Sequence, residues 1–198
     1  MIKNPIQPVT NKLQYRAIGI VKGIYKPENL DQINRGTLQD NQGNILDTVV
    51  LGKTLSLIKK YINLQKNYFW IVYPRNKSVT NLHLQIAGVW DPHTLDKISK
   101  DHSKKDPDTI LDELNLSDNY FSIRGELVYT NAQKKELIIK ISASPISKKS
   151  KSNTFKIIVE GEISLQFLNN FVSLDVVRDK KTLRLIKYEV IDKISQKN

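Results

Sequence analysis

One order of elements occurs twice in this chain, and that repetition restricts the fold more than any other feature. Residues 14–92 read strand, strand, strand, helix, strand, strand, and residues 119–192 repeat the order. In the first copy, short runs rich in Ile, Val, Leu and Tyr predict strands at 15–25, 36–40, 45–51, 68–73 and 82–90. Helical spacing over 55–64 places Leu55, Leu57, Ile58, Tyr61, Ile62 and Leu64 on one core-facing side. The turn formers Asp40 to Asn44 join the second and third strands, and Pro74 is expected to stop the fourth. The second copy predicts strands at 120–129, 136–144, 155–160, 171–177 and 183–191, with a short helical segment at 164–170.

The details align between copies. Gly19 falls on Gly125 within the first strands, where a glycine commonly marks a bend. Gly52 matches Gly161 after the third strands, Arg75 matches Arg178 at the last turn, and Leu82-His83-Leu84 matches Leu183-Arg184-Leu185. A period near one hundred residues indicates a duplicated domain, because solenoid repeats are much shorter. Around the copies lie an extended arm at 1–13, a polar linker at 93–118 and a tail at 193–198. Within the linker, Asp106 followed by Pro107 reads as a helix start.

Five strands with a helix between the third and fourth is the OB-fold order. The chain therefore resembles tandem OB-fold proteins over 14–92 and 119–192, and it is similar to conserved cyanobacterial proteins of unassigned function. The expected fold is mainly β, two tandem five-stranded OB-like barrels, each with a short helix between strands three and four. No residue role is carried over from the resemblance.

Charge points to the partner. The chain has 31 Lys+Arg against 20 Asp+Glu, a formal charge of +11, and both halves are basic. An excess of this size in 198 residues suits a polyanion. Cysteine is absent, which removes disulfides, thiolate chemistry and Fe–S ligation. The start of the chain lacks the apolar region of a secretory signal, and no apolar run is long enough for a membrane helix. A cytoplasmic protein without a membrane partner is expected.

Enzymatic motifs fail on inspection. Gly52-Lys53-Thr54 resembles part of a phosphate loop, but Asp47 stands where that loop needs its first glycine. His83, His93 and His102 have no ligand spacing, and Asp112-Glu113 are adjacent, without acid–base geometry. The reading is a non-enzymatic protein with no cofactor and no metal.

Basic residues interleaved with aromatics fit a single-stranded nucleic acid, whose phosphates follow cations while its bases stack on rings. In the first copy the candidates are Arg16, Lys22, Arg35, Arg75, Lys77 and His83, with Tyr68 and Trp70 as stacking rings. In the second copy they are Lys148, Lys149 and Lys151 in a serine-lysine loop, with Arg178, Lys180, Lys181 and Arg184 around the last turn. RNA or single-stranded DNA is the expected partner. The alternative is a protein-interaction or assembly module docking on an acidic partner surface.

Overall fold

The computed structural model describes residues 4–92, 105–142 and 154–193. Two compact units are present: one comprises Met1–Gln7, Gly19–Tyr73 and Leu84–Tyr120, the other Pro8–Ile18, Pro74–His83 and Phe121–Asn198. The described elements are β1 (Arg16–Pro27), β2 (Arg35–Asp40), β3 (Ile45–Val50), α1 (Gly52–Tyr61), β4 (Tyr68–Asn76), β5 (Leu82–Trp90), α2 (Pro107–Glu113), β6 (Tyr120–Asn131), β7 (Glu136–Ser142), β8 (Thr154–Glu160), a single 3-10 turn (Leu165–Phe167), β9 (Asn170–Asp179) and β10 (Thr182–Lys193).

Both units close a five-stranded ring. In the first, β1 pairs antiparallel with β2 (Gly23↔Asp40 to Pro27↔Gly36) and with β4 (Gly19↔Val72 to Gly23↔Tyr68). A parallel pairing of β3 with β5, from Thr48↔Leu84 to Val50↔Ile86, completes the ring β1-β2-β3-β5-β4. The second unit runs β6-β7-β8-β10-β9 and returns to β6. Its parallel closure is the pair Arg184↔Glu160 between β10 and β8. The expected tandem OB-like architecture is what forms.

Alternation in the strands fills the first barrel. Leu38 on β2, Leu46 on β3, Trp70 and Val72 on β4, and Leu84 and Ile86 on β5 are fully buried. Strand β4 is apolar on its other face too, because α2 covers that face. Ile110 and Leu111 of α2 pack with Ile20, Phe69 and Trp90, and Ile71 lies against the same cluster. Each such burial stabilises by about 1.5–3 kcal/mol. Lys22 ties α2 in place by pairing with Asp108, and its backbone N–H donates to the Asp118 carboxylate at 2.8 Å.

Three details differ from the sequence expectations. Helix α1 starts at Gly52 rather than 55, because the Leu51 carbonyl already accepts from the N–H groups of Thr54 (2.9 Å) and Leu55 (3.2 Å). Strand β4 continues through Pro74 to Asn76. Its register with β1 ends at Gly19↔Val72, so the missing proline N–H breaks no bond to β1. In the second copy the helical segment shrinks to the 3-10 turn Leu165–Phe167.

The repeat alignment also shifts. A Cβ on Gly23 would lie 2.5 Å from the Gln39 carbonyl oxygen, and one on Gly125 would lie 2.4 Å from that of Lys140. Both contacts fall where the first strand begins pairing with the second. Gly23, not Gly19, is therefore the structural counterpart of Gly125. Both copies keep glycine there because two backbones cross too closely for a side chain.

Candidate nucleic-acid interface

On the outer face of the β2–β3 ribbon, alternate residues meet across the strands as Arg35↔Val49, Thr37↔Asp47 and Gln39↔Ile45. Arg35, Ile45, Asp47 and Val49 are exposed. The turn at the end of this ribbon is rigid. The buried Asp40 carboxylate accepts from the N–H groups of Gln42 (2.9 Å) and Asn44 (2.8 Å) and from the Asn44 side-chain amide (2.9 Å). Gly43 supplies the positive φ of 83°. The corresponding face of the second unit shows Glu136↔Glu160, Ile138↔Ile158 and Lys140↔Lys156. Lys140 is held by Glu126 at 2.7 Å, and that hydrogen bond, more than the coulombic attraction, raises its pKa. Neither ribbon face carries an aromatic ring.

The aromatic candidates divide accordingly. Trp70, expected to stack on bases, is wholly buried and donates its indole N–H to the Gly23 carbonyl at 2.9 Å. It is a core residue, because inward alternation on β4 points it at the barrel axis. Tyr25 packs edge-on against it at 6.0 Å and donates its hydroxyl to the Ile33 carbonyl at 2.8 Å. Burial, with a smaller contribution from Glu28, pushes the Tyr25 phenol up to about 12. Tyr68 is half-buried; its hydroxyl accepts from the Asn63 N–H at 3.2 Å, and its ring meets Trp70 edge-on at 5.9 Å.

The basic candidates divide too. Lys22 lies over the Phe69 ring at 5.1 Å and pairs with Asp108. It borders a recess of about 230 Å³ whose lining includes Asp91, Asp106 and Asp108, a setting that repels phosphate. Arg16 donates to the Ser122 hydroxyl at 2.7 Å. Arg75 stacks its guanidinium 3.8 Å from the Phe155 ring centre and donates to the Pro74 carbonyl. Beside it, the Asn76 side chain clamps the Ile158 backbone, donating to its carbonyl at 2.6 Å and accepting its N–H at 2.9 Å. His83 is half-buried, between the buried Leu82 and Leu84, as alternation requires. Lys77 is exposed.

In the second unit, Arg178 is buried and donates to the Lys180 carbonyl at 2.7 Å, so it staples the β9–β10 turn rather than facing a ligand. Lys180, at φ 52°, and Lys181 form that two-residue turn and are exposed. Arg184 is exposed but held between Glu160 (3.1 Å) and Asp179 (2.9 Å). Lys148, Lys149 and Lys151 lie outside the described residues, as do His93 and His102. Arg35, Lys77, Lys180 and Lys181 are thus the exposed candidate cations that enter no ion pair among the described residues.

Two kinds of residue escaped the sequence reading. Arg124, buried on β6, donates to the carbonyls of Lys12 (2.7 Å) and Gln14 (3.4 Å) and pins the chain before β1 into the second unit. Desolvation lowers its pKa, and an attraction to Glu189 partly opposes that shift. Tyr61, assigned by spacing to the core side of α1, is instead 78% exposed. Thr54 and Ile58 mark the buried arc; Tyr61, three residues beyond Ile58, shares that arc by spacing but is the last residue of the helix and is exposed there.

No helix among the described residues is long and apolar enough to cross a membrane. Two family models match the chain, one to each copy. Residues 17–97 match the N-terminal OB-fold domain of the PatR RNA-binding protein. Residues 123–192 match the cyanobacterial OB-fold-like RNA-binding domain, C-terminal. No curated protein matches. With two ring-closed barrels, each matched in order by an OB-fold domain model, the chain is a tandem OB-fold protein.

Proposed function

We propose that this protein binds RNA without catalysing a reaction, with residues 14–92 and 119–192 as its two binding domains. The observation that carries the reading is that each barrel, separately, is similar to an OB-fold domain named for RNA binding. The placement of free charge supports it. Arg35 lies on the β2–β3 face, and Lys77 follows β4 in the loop to β5. Strands two and three and these end loops are where OB-folds take oligonucleotides. Lys180 and Lys181 occupy the equivalent loop of the second barrel. Lys148, Lys149 and Lys151, between β7 and β8 in sequence, are proposed as further phosphate contacts on charge alone. Base stacking draws on Tyr68, the one candidate ring outside the core.

The test is an anisotropy titration of the full chain with unstructured RNA and with single-stranded DNA across salt. Micromolar or tighter RNA binding is expected. A protein that touches four phosphates loses about 50-fold in affinity between 50 and 200 mM salt, on the single-strand slope of about 0.7 per phosphate. Replacing Lys180 and Lys181 by alanine should flatten that slope without selecting among sequences. Absence of RNA binding at low salt, or tighter binding to DNA, overturns the proposal.

A further inference from the structure

The outer face of α1 is one-sided in charge, and an exposed ring ends the helix. Between Asp47 and Asp91 the chain has no acidic residue but six Lys or Arg, and three of these, Lys53, Lys59 and Lys60, are on α1. At 3.6 residues per turn, Lys53, Leu57 and Tyr61 form a stripe, with Ser56 and Lys60 alongside. The buried residues Thr54 and Ile58 lie opposite Ser56 and the three lysines, while Tyr61, three residues beyond Ile58, is the last residue of the helix and lies at the edge of the buried arc. At that helix end Tyr61 is 78% exposed; Leu57 is 37% exposed and Ile58 2% exposed.

Helix stability does not explain the arrangement. Lys59 and Lys60 suit the negative end of the helix dipole, but Lys53 sits in the first turn, where the dipole disfavours a cation and no acidic residue compensates. An exposed phenol ring and leucine contribute nothing to the core. Cations tracking a chain of phosphates beside a ring that can receive a base is the chemistry of single-strand binding.

We infer that the outer face of α1, together with the exposed ring at its C-terminal end, is a second RNA contact of the first barrel, apart from the β2–β3 face, with Tyr61 stacking on a base and Lys53, Lys59 and Lys60 meeting phosphates. This rests on the RNA-binding reading above, and it lengthens the strand the barrel holds. An amphipathic membrane anchor needs a broad apolar face, and Leu57 with Tyr61 is too little for one.

The experiment compares wild-type full chain with Tyr61→Ala, Tyr61→Phe and the pair Lys59→Ala with Lys60→Ala, titrated into a short and a long single-stranded RNA. For the long RNA, Tyr61→Ala should weaken binding by about 5- to 150-fold, the range for losing one base–aromatic stack. Tyr61→Phe should bind as wild type does, since the ring and not the hydroxyl acts. The lysine pair should lower the salt slope by about 1.4. The short RNA, held on the ribbon face, should be indifferent to all three. Unchanged melting of Tyr61→Ala, expected for so exposed a side chain, confirms that affinity and not folding is read. Equal affinity of wild type and Tyr61→Ala for the long RNA overturns the inference while leaving the RNA-binding reading intact. Failure of the wild type to bind either RNA removes both. Capture by phosphatidylserine vesicles that depends on Tyr61, with RNA affinity unchanged, overturns the inference in favour of a membrane contact.

Discussion

Replacing Gly23 or Gly125 by alanine should destabilise the protein far more than the same change at Gly52 or Gly88. The added methyl would lie 2.5 Å from the Gln39 carbonyl oxygen in one barrel and 2.4 Å from the Lys140 oxygen in the other. Ordinary van der Waals contact begins at 3.4 Å, so the facing strands must separate by 0.9–1.0 Å. The obstacle is backbone and not the end of a flexible side chain, so only the ladder itself can yield. Overpacking of this kind costs about 1–3 kcal/mol, and a backbone clash belongs at the upper end. In a chain of this length each kcal/mol moves the melting temperature by about 2–4 °C, giving a fall of about 6–12 °C. By contrast, nothing lies within 4 Å of a Cβ on Gly52, and the nearest atom to one on Gly88 is 3.8 Å away. Alanine there should be neutral or raise stability by about 0.4–1 kcal/mol through reduced freedom of the unfolded chain. Scanning calorimetry of the four variants reads both signs at once. If Gly23→Ala and Gly125→Ala melt with the wild type, the close crossing of first and second strands is wrong, and with it the equivalence of the two glycines.

Three further outcomes follow from the buried polar groups. Trp70→Phe keeps a ring in the core but strands the Gly23 carbonyl, at a cost of about 1–3 kcal/mol, while RNA affinity stays the same; a selective loss of binding would return Trp70 to the ligand face. Asp40→Ala removes a carboxylate that organises the β2–β3 turn and should cost about 1.5–3 kcal/mol in a urea melt; a change below a few tenths would show that the turn holds itself. Tyr25 has a folded pKa of about 12 against 10.0 unfolded, so the folded state holds its proton more tightly. Its contribution is fully present below pH 10 and is lost as pH rises toward 12. Alkaline denaturation should therefore be shallower in Tyr25→Phe over that interval, and an identical pH profile would refute the assignment.

The periodicities alone determined the architecture. Apolar alternation, turn residues and a helix between the third and fourth strands define a ring order twice over, because period-two and period-3.6 patterns reflect local backbone geometry that neighbours in sequence dictate. The net charge likewise suits a polyanion partner. Which side of β4 faced inward could not be read, since YFWIVY is apolar on both faces; α2, some forty residues later, covers the second face and so settles Trp70 as core. The candidate cations looked alike in sequence, yet Arg178 is consumed by a turn carbonyl, Lys22 by Asp108 and Arg184 by two carboxylates, while Lys77, Lys180 and Lys181 stay open to solvent. Partner and burial depend on residues distant in the chain, and only the folded arrangement brings those together. The same holds for Gly23 and Gly125: a glycine in a strand hints at a bend, but the crossing that forbids a side chain exists only once the second strand lies across the first.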